Sequence, residues 1–247
     1  MDLHTEYVNL SAGDGTALRA YVAHPAGKPR AGLLVFQEAF GVNAHIRDVT
    51  QRFAREGYLA ISPELFHRTA PGFEIGYTDM GPAFEQLRAL TDAGLEADIR
   101  AAHGWLRSSG ESQICATGYC MGGRTACLAA LMVPLACSVS YYGGGIAPSQ
   151  FGTGLLDRLK DLSAPMLFFW GGLDHHIPPE SVQAVTSAVR AAGKPYTNVE
   201  FSFADHGFFC DQRASYNATA AALAWPLTLA FLETHLAAQT QKGGAGV

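Results

Sequence analysis

The sequence predicts an α/β fold: a doubly wound, mostly parallel sheet with an antiparallel N-terminal start and helices on both faces. The main observation is that short apolar runs alternate with longer segments of helical periodicity, as in parallel sheets. Composition agrees, because 48% of the residues are hydrophobic and only 16% are charged, so much of the chain must be interior. No repeat or linker divides the chain, and we expect residues 1–247 to form one domain with a frayed tail over 238–247.

The predicted elements follow from periodicity and from turn residues. Glu6–Leu10 and Ala17–His24 alternate polar and apolar residues around an AGDGT turn, which predicts an antiparallel pair. Ala31–Phe36 is a continuous apolar run, typical of a strand buried on both faces. The further predicted strands are Tyr58–Ser62, Ile114–Gly118, Ser138–Tyr142, Pro165–Trp170 and Tyr196–Phe203. The predicted helices cover 43–56, 83–109 with a break near Gly94, Gly122–Met132, Pro179–Ala192 and roughly Arg213–Leu236, and residues 66–82 predict a long loop.

Charge and cysteine content exclude several classes of protein. The net charge is −5 with no cluster of Lys or Arg, which argues against nucleic acid or an anionic membrane as a partner. No apolar run reaches the roughly 18 residues of a membrane span, and no signal peptide is recognisable. The five cysteines form no CxxC pair, which disfavours a disulfide framework or zinc site. We therefore expect a cytoplasmic protein without metal or cofactor, either a monomer or a small homo-oligomer.

A cysteine occupies the position of the nucleophile in a known strand–turn–helix pattern. Ile114–Gly118 is followed by GYCMGG and a helix, which is the G-x-S-x-G pattern with Cys120 in place of serine. Such a sharp turn exposes its central residue, and the helix N-terminus that follows favours a thiolate. A buried structural cysteine is the alternative, since flanking glycines arise by chance about once in eighty cysteines here. The strand and helix on either side favour the functional interpretation.

Two further strands end in residues that could complete a catalytic triad. Asp174 follows Pro165–Trp170 in a GGLD turn, where an orienting acid is expected, although a capping Asp is an alternative. His206 follows Tyr196–Phe203, where a general base is expected, although a surface-loop histidine is an alternative. The chain order of nucleophile, acid and base matches the hydrolase pattern. The joint arrangement is more specific than any one of its members.

The loop after Ala31–Phe36 supplies the remaining candidate groups. An oxyanion hole needs two N–H donors, which we assign to Met121, directly after the nucleophile, and to Ala39 in this loop. The same loop carries Glu38, for which two interpretations stand. It is either a surface carboxylate paired with a cation such as Arg47, or a carboxylate that faces the thiol and controls its protonation.

Side chains that follow the strand ends are candidates for substrate contacts. Phe40, Tyr142, Ile177 and Phe208 occupy such positions, and each is equally compatible with ordinary packing. His175 and His176 stand beside Asp174 and raise the alternative of a metal site with His206. Adjacent histidines point apart on most backbones, which argues against that alternative.

Taken together, the segments QEAFGVN, GYCMGG, GGLD and ADHGF resemble the dienelactone hydrolase family within the α/β-hydrolase superfamily. The resemblance extends over roughly residues 5–236. It implies a triad of Cys120, His206 and Asp174 that opens an enol-lactone ring through a thioester. It also implies that Glu38 holds the resting thiol neutral, swings away when substrate binds and then helps to generate the thiolate.

The sequence departs from this family at the positions that bind the substrate's carboxylate. The family uses two arginines, one in the long loop and one shortly after the catalytic histidine, but residues 69–87 contain no Arg or Lys. Cys210 stands near the second position, so Arg68 and Arg213 are the candidate substitutes. A less charged lactone or ester is therefore also expected as substrate, with general carboxylesterase or thioesterase activity as the alternative. A redox-active thiol protein and a catalytically silent binding domain are more distant alternatives.

Overall fold

The structure is a computed structural model that describes residues 3–78, 80–150 and 152–244, with side chains described as far as 238. The strands are β1 His4–Ser11, β2 Ala17–His24, β3 Gly32–Phe36, β4 Leu59–Pro63, β5 Ile114–Tyr119, β6 Ser138–Tyr141, β7 Met166–Gly171 and β8 Tyr196–Phe201. The helices are α1 Ala44–Arg55, α2 Gly81–Ala89, α3 Asp92–Ser108, α4 Met121–Met132, α5 Pro179–Ala191 and α6 Ala218–Gly244.

The strands form one mixed sheet in the order β1-β2-β4-β3-β5-β6-β7-β8. β2 pairs antiparallel with both β1 and β4, and the remaining neighbours are parallel. Every residue of β3 to β7 is buried, which explains why these strands are continuous apolar runs in the sequence. The predicted α/β class, with its antiparallel start, is confirmed.

The centre of the sheet brings two chain segments with candidate functional residues together. β3 and β5 are parallel neighbours, and Phe36 at the end of β3 is paired with Gly118. The loop after β3 and the turn after β5 therefore leave the same edge of the sheet side by side, as is typical of sites in doubly wound folds. α4 begins directly at this edge and packs against the sheet through a small-residue face. A Cβ added at Gly122 would overlap the Phe36 carbonyl oxygen and lie 2.5 Å from that of Gln37.

Two predicted helix boundaries were wrong, and in both cases a capping side chain sets the boundary. The predicted helix 83–109 breaks at Leu90 and Thr91 instead of Gly94, because the Thr91 hydroxyl accepts the N–H of Gly94 and starts α3 there. The last helix starts at Ala218 instead of near Arg213, with the Asn217 side chain accepting the N–H of Ala220. It also continues to Gly244, where a frayed tail was expected; residues 245–247 lie outside the described part.

α6 is longer and more apolar than the short apolar runs of the sequence indicated. Its segment Ala218–Ala238 spans 21 residues with a mean hydropathy of 1.2, and 28% of the apolar window is buried. Length and composition alone would let this helix cross a membrane, although core helices of water-soluble proteins meet the same criterion. The prediction that no membrane is involved therefore stays a prediction.

The close approach of α4 to β3 gives a test of the fold. We expect Gly122→Ala to lower the free energy of unfolding by about 1–3 kcal/mol, because the new methyl group meets backbone that cannot move easily. Gly104→Ala in α3 is the control, since no atom lies within 4 Å of its added Cβ; helix propensity should then raise stability by up to about 1 kcal/mol. Urea denaturation measures both, and equal effects of the two substitutions would contradict the proposed close approach.

Candidate active site

Cys120 lies at the tip of the turn between β5 and α4 with a left-handed backbone conformation. Its φ is 58° and its ψ is −123°, a region that side-chain-bearing residues rarely adopt. The turn is possible because a Cβ at Gly118 would overlap the carbonyl oxygen of Gly122. Cys120 is partly exposed, whereas the other four cysteines are buried. The strain therefore presents a single thiol at the surface of the sheet edge.

Asp174 and His206 are joined by a short hydrogen bond. The Asp174 Oδ2 atom lies 2.7 Å from Nδ1 of the His206 ring. Its other oxygen accepts the backbone N–H groups of His176 and Ile177 at 2.8 and 3.2 Å, which fixes the carboxylate in the turn after β7. The backbone N–H of His206 donates to Asp205 Oδ1 at 2.6 Å. The loops after the adjacent strands β7 and β8 thus hold Asp174 and His206 at hydrogen-bonding distance.

The charges around His206 favour its protonated form. Burial disfavours the imidazolium, but hydrogen bonds and charge interactions with Cys120 and Asp174 outweigh it and raise the pKa of His206 to about 10. Burial likewise opposes ionisation of Asp174, and its interactions with His206 overcome this and lower the pKa of that carboxyl. At neutral pH the arrangement is therefore a carboxylate beside an imidazolium that faces the Cys120 sulfur.

The two candidate oxyanion donors belong to neighbouring segments. Met121 is the first residue of α4, and first-turn N–H groups have no partner within their own helix. Ala39 is buried in the loop after β3, two residues beyond the Gln37 carbonyl that closely approaches Gly122. The backbone of this loop and the turn at Cys120 are thus in near contact, as a shared oxyanion site requires.

Glu38 is fully buried and paired with Arg213. Its Oε1 atom lies 3.3 Å from Nη1 of Arg213, and its Oε2 atom has no hydrogen-bond partner. The interpretation of Glu38 as a surface residue paired with Arg47 was wrong, since Arg47 instead binds Glu74 at 2.6 Å. Burial disfavours the Arg213 charge, but Glu38 and then Cys120 outweigh it and raise the pKa of the guanidinium. Arg213 therefore interacts electrostatically with both Glu38 and Cys120.

The aromatic residues predicted at the strand ends pack around His206 and Arg213. Tyr142 has a φ of 38°, and its ring lies 5.1 Å from those of both His206 and Phe208. The Phe40 ring lies 5.5 Å below the Arg213 guanidinium. Ile177 contributes its backbone N–H to Asp174. Tyr142 thus packs against His206, and Phe40 packs against Arg213.

Arg68 is held away from this constellation. Its guanidinium binds Asp14 at 2.6 Å and the buried Asp98 at 2.8 Å. The structure therefore does not bring Arg68 to Cys120, because its charge is already matched by two carboxylates. His175, His176 and His206 also fail to place three ligand atoms within 4.8 Å in the described part of the chain.

A cleft of about 400 Å³ opens at Cys120 and Met121 toward α2 and α3. One wall is apolar and consists of Leu87, Leu90 and Leu95, which lie around the break between the two helices. The lining also contains polar side chains, which include Asp92, Arg124, Gln150, His175 and His176. None of the six side chains predicted to bind substrate is among the residues that line it in the described structure: Phe40, Arg68, Tyr142, Ile177, Phe208 and Arg213. The leucines were missed because their helical spacing resembles ordinary packing.

Comparison with known proteins agrees with this architecture. Residues 18–236 match the dienelactone hydrolase family. A Synechocystis protein, provisionally named carboxymethylenebutenolidase, is 36% identical, covering 96% of this chain and 99% of the relative. Carboxymethylenebutenolidase from Pseudomonas putida is 33% identical, covering 92% and 96%. The crystal structure of a provisionally assigned dienelactone hydrolase from Klebsiella pneumoniae has a TM-score of 0.86 and 32% identity, covering 94% and 99%.

The match covers most of the chain, and the relatives are similar over nearly their whole length. Both results agree with an α/β fold that extends over most of the chain. The chain is therefore a dienelactone hydrolase-like hydrolase with the α/β-hydrolase fold, and it belongs to the dienelactone hydrolase family.

Proposed function

We propose that the protein opens a lactone or ester by nucleophilic catalysis with Cys120, His206 and Asp174. The observation that carries the proposal is the 2.7 Å bond from Asp174 to His206, whose ring in turn faces a strained, accessible thiol at the mouth of a cleft. This is the geometry of an activated nucleophile with its base and its orienting acid. The substrate is a small molecule, and we expect no cofactor; cytoplasmic location and a monomeric or small homo-oligomeric state remain predictions.

The chemistry proceeds in two acyl-transfer steps. When substrate displaces Glu38, this carboxylate takes the Cys120 thiol proton, and the thiolate beside the His206 imidazolium attacks the carbonyl carbon of the substrate. The N–H groups of Met121 and Ala39 stabilise the oxyanion of the tetrahedral intermediate. Its collapse breaks the ester C–O bond, forms a thioester and expels an enolate or alkoxide, which takes the proton from His206. Neutral His206 then deprotonates a water molecule, whose attack on the thioester releases the carboxylic acid and restores the thiolate.

A cysteine nucleophile favours some leaving groups over others. A thiolate attacks readily near neutral pH, but the intermediate then expels whichever group leaves more easily. An enolate leaves with little need for protonation, whereas an amine must be protonated first. Enol-lactones and activated esters are therefore the expected substrates, and amides are not.

Glu38 is the second carboxylate in the proposed mechanism. Its burial, its pairing with Arg213 through one oxygen and its second, unpartnered oxygen support a role in controlling the resting thiol. Arg213 interacts with both Glu38 and Cys120. A movement of Glu38 therefore changes how strongly the Arg213 charge stabilises a thiolate at Cys120. We propose that Glu38 keeps Cys120 neutral until substrate displaces it.

The charges around the cleft favour an uncharged substrate. Arg124 is the cation in the cleft lining, and it binds Asp92 at 2.7 Å; Arg213 binds Glu38 and Arg68 binds Asp14 and Asp98. An anionic substrate would have to displace a carboxylate from one of these pairs. The three leucines of the lining supply apolar contact instead.

Hydrolysis of a substrate panel tests the proposal. The panel consists of cis- and trans-dienelactone, a neutral enol-lactone, p-nitrophenyl acetate and an acyl thioester, assayed with the wild type and with Cys120→Ala. We expect the neutral enol-lactone to have the highest kcat/KM and Cys120→Ala to lose all detectable turnover, because the nucleophile is gone. Activity that survives Cys120→Ala would contradict the mechanism. A preference for an anionic dienelactone would retain the mechanism and overturn the inference about charge.

The Asp174–His206 bond gives a second prediction. In Asp174→Asn the imidazolium loses its carboxylate, so we expect kcat/KM to fall by about 10²–10⁴-fold. The raised pKa of His206, about 10, keeps the proton on the ring as pH rises toward that value. Without Asp174 this pKa falls, and the alkaline limb of the pH profile should move to lower pH. Asp161→Asn, at the exposed end of the short 3₁₀ helix Leu156–Asp161, is the control; an unshifted limb in Asp174→Asn would argue against the assigned role.

Removal of Arg213 tests the buried pair. Arg213→Ala leaves the Glu38 carboxylate buried without a counter-charge and should lower the free energy of unfolding by about 3 kcal/mol. The double variant Arg213→Ala/Glu38→Gln should recover a large part of this loss, because the uncompensated charge is gone. Arg47→Ala, which breaks the more exposed pair with Glu74, should cost less than about 1 kcal/mol. Thermal or urea unfolding measures these losses. If the effects of Arg213→Ala and Glu38→Gln were additive in the double variant, Glu38 and Arg213 would not act as a pair.

A further inference from the structure

A second set of reactive side chains is buried beside Glu38. Glu38, His45 and Cys210 are each fully buried, and each offers one ligand atom: a carboxylate oxygen, an imidazole nitrogen and a sulfur. These three atoms lie within 4.8 Å of one another. They come from the loop after β3, the first turn of α1 and the turns after His206, so only the folded chain assembles them.

The cluster contains polar atoms that the protein leaves unused. The Glu38 Oε2 atom and both ring nitrogens of His45 have no hydrogen-bond partner, although each is buried. Burial of such groups without partners costs free energy, so they are rare unless the site serves a ligand. We infer that Glu38, His45 and Cys210 form a binding site for a divalent transition metal, with Zn²⁺ as the best match.

The donor set matches the preferences of zinc. Thiolate, imidazole and carboxylate are its three common protein ligands, with bonds of about 2.0–2.3 Å. Such bonds place ligand atoms roughly 3.3–3.8 Å apart in a tetrahedral site, so side-chain movements of about 1 Å or less close the cluster. The sulfur ligand disfavours Mg²⁺ and Ca²⁺, which bind oxygen. Three protein ligands leave a fourth position for water.

The surrounding residues orient two of the proposed ligands. Asp211 Oδ1 lies 3.7 Å from Nδ1 of His45, and carboxylates in this position commonly orient metal-binding histidines. Asp211 is 48% exposed, so solvent lies close to the cluster on this side. The Tyr77 hydroxyl accepts a hydrogen bond from Asn43 Nδ2 at 2.9 Å and donates to Cys210. Burial and then the Glu38 carboxylate outweigh this bond and raise the pKa of Cys210 to about 12, so the metal must displace the thiol proton when it binds.

Arg213 is the charge that opposes a metal at this site. It binds Oε1 of Glu38, whereas the unpartnered Oε2 is the atom available to the metal. The ion and Arg213 bring three positive charges to one carboxylate and one thiolate, so one net positive charge remains, which the neighbouring Asp211 carboxylate partly offsets. A metal here would fix the carboxylate that we propose controls Cys120; this consequence rests on the proposed function, whereas the binding itself does not.

Cobalt spectroscopy tests the site without any need for activity. Co²⁺ replaces Zn²⁺ in such sites, and thiolate ligation gives a near-ultraviolet charge-transfer band with tetrahedral bands in the visible. The experiment uses Cys120→Ala, so that the nucleophile cannot bind the ion. We expect the band in Cys120→Ala, its loss in Cys120→Ala/Cys210→Ser, and binding weakened more than about tenfold in Cys120→Ala/His45→Gln. Added Zn²⁺ should abolish the band by competition.

Cys120→Ala/Cys127→Ser is the matched control, because Cys127 is equally buried and lies outside the cluster. It should keep the band. The exposed group of His4, Glu6 and His24 has no sulfur, so Co²⁺ bound there gives no such band. Absence of the band in Cys120→Ala, or its survival after Cys210→Ser, would overturn the proposal. If Cys210→Ser fails to fold by circular dichroism, an unchanged Co²⁺ affinity in the His45→Gln variant would overturn it instead.

Discussion

The left-handed backbone at Cys120 is the constraint on which the site depends. Its φ of 58° is tolerated because glycines at 118 and 122 let the turn, β3 and the start of α4 approach almost to contact. The same approach sets the loop that carries Ala39 and Glu38 beside the thiol. Strain at one residue thus determines the position of the nucleophile, of both candidate oxyanion donors and of the second carboxylate.

Two buried carboxylates near this turn have opposite environments. Asp174 accepts two backbone N–H groups and the His206 ring, so its charge is fully matched and its position fixed. Glu38 has one cation at 3.3 Å and one oxygen without any partner. A fully bonded carboxylate suits an orienting role, whereas one with an unpartnered oxygen keeps an acceptor free for a proton or a ligand. The difference in bonding, more than proximity to the thiol, distinguishes an orienting acid from one that responds to a ligand.

The sequence was sufficient for the fold class and for the residues whose role depends on strand order. Cys120, Asp174 and His206 each follow their own strand, and parallel strands bring such positions to one edge whatever the details of packing. The partner of Glu38 could not be predicted. Arg213 is 175 residues away in the sequence, and the turns after His206 determine where it lies. The leucines of the cleft were also missed. Their spacing is that of any amphipathic helix, and only the break set by Thr91 turns them toward Cys120.

The position of Cys210 links substrate charge to the second cluster. Where the family resemblance implies an arginine for a substrate carboxylate, this chain has a buried thiol, and the nearest guanidinium, that of Arg213, is already bound to Glu38. A substrate anion would therefore compete with a buried carboxylate that has no other cation within reach among the described side chains, and burial makes that exchange costly. A neutral substrate avoids the exchange and leaves the pair intact. The replacement thus removes one anion-binding group from the cleft and places a soft ligand next to an unpartnered carboxylate oxygen and imidazole. A thiol instead of a guanidinium at this position accounts for both the expected preference for uncharged esters and the proposed metal site.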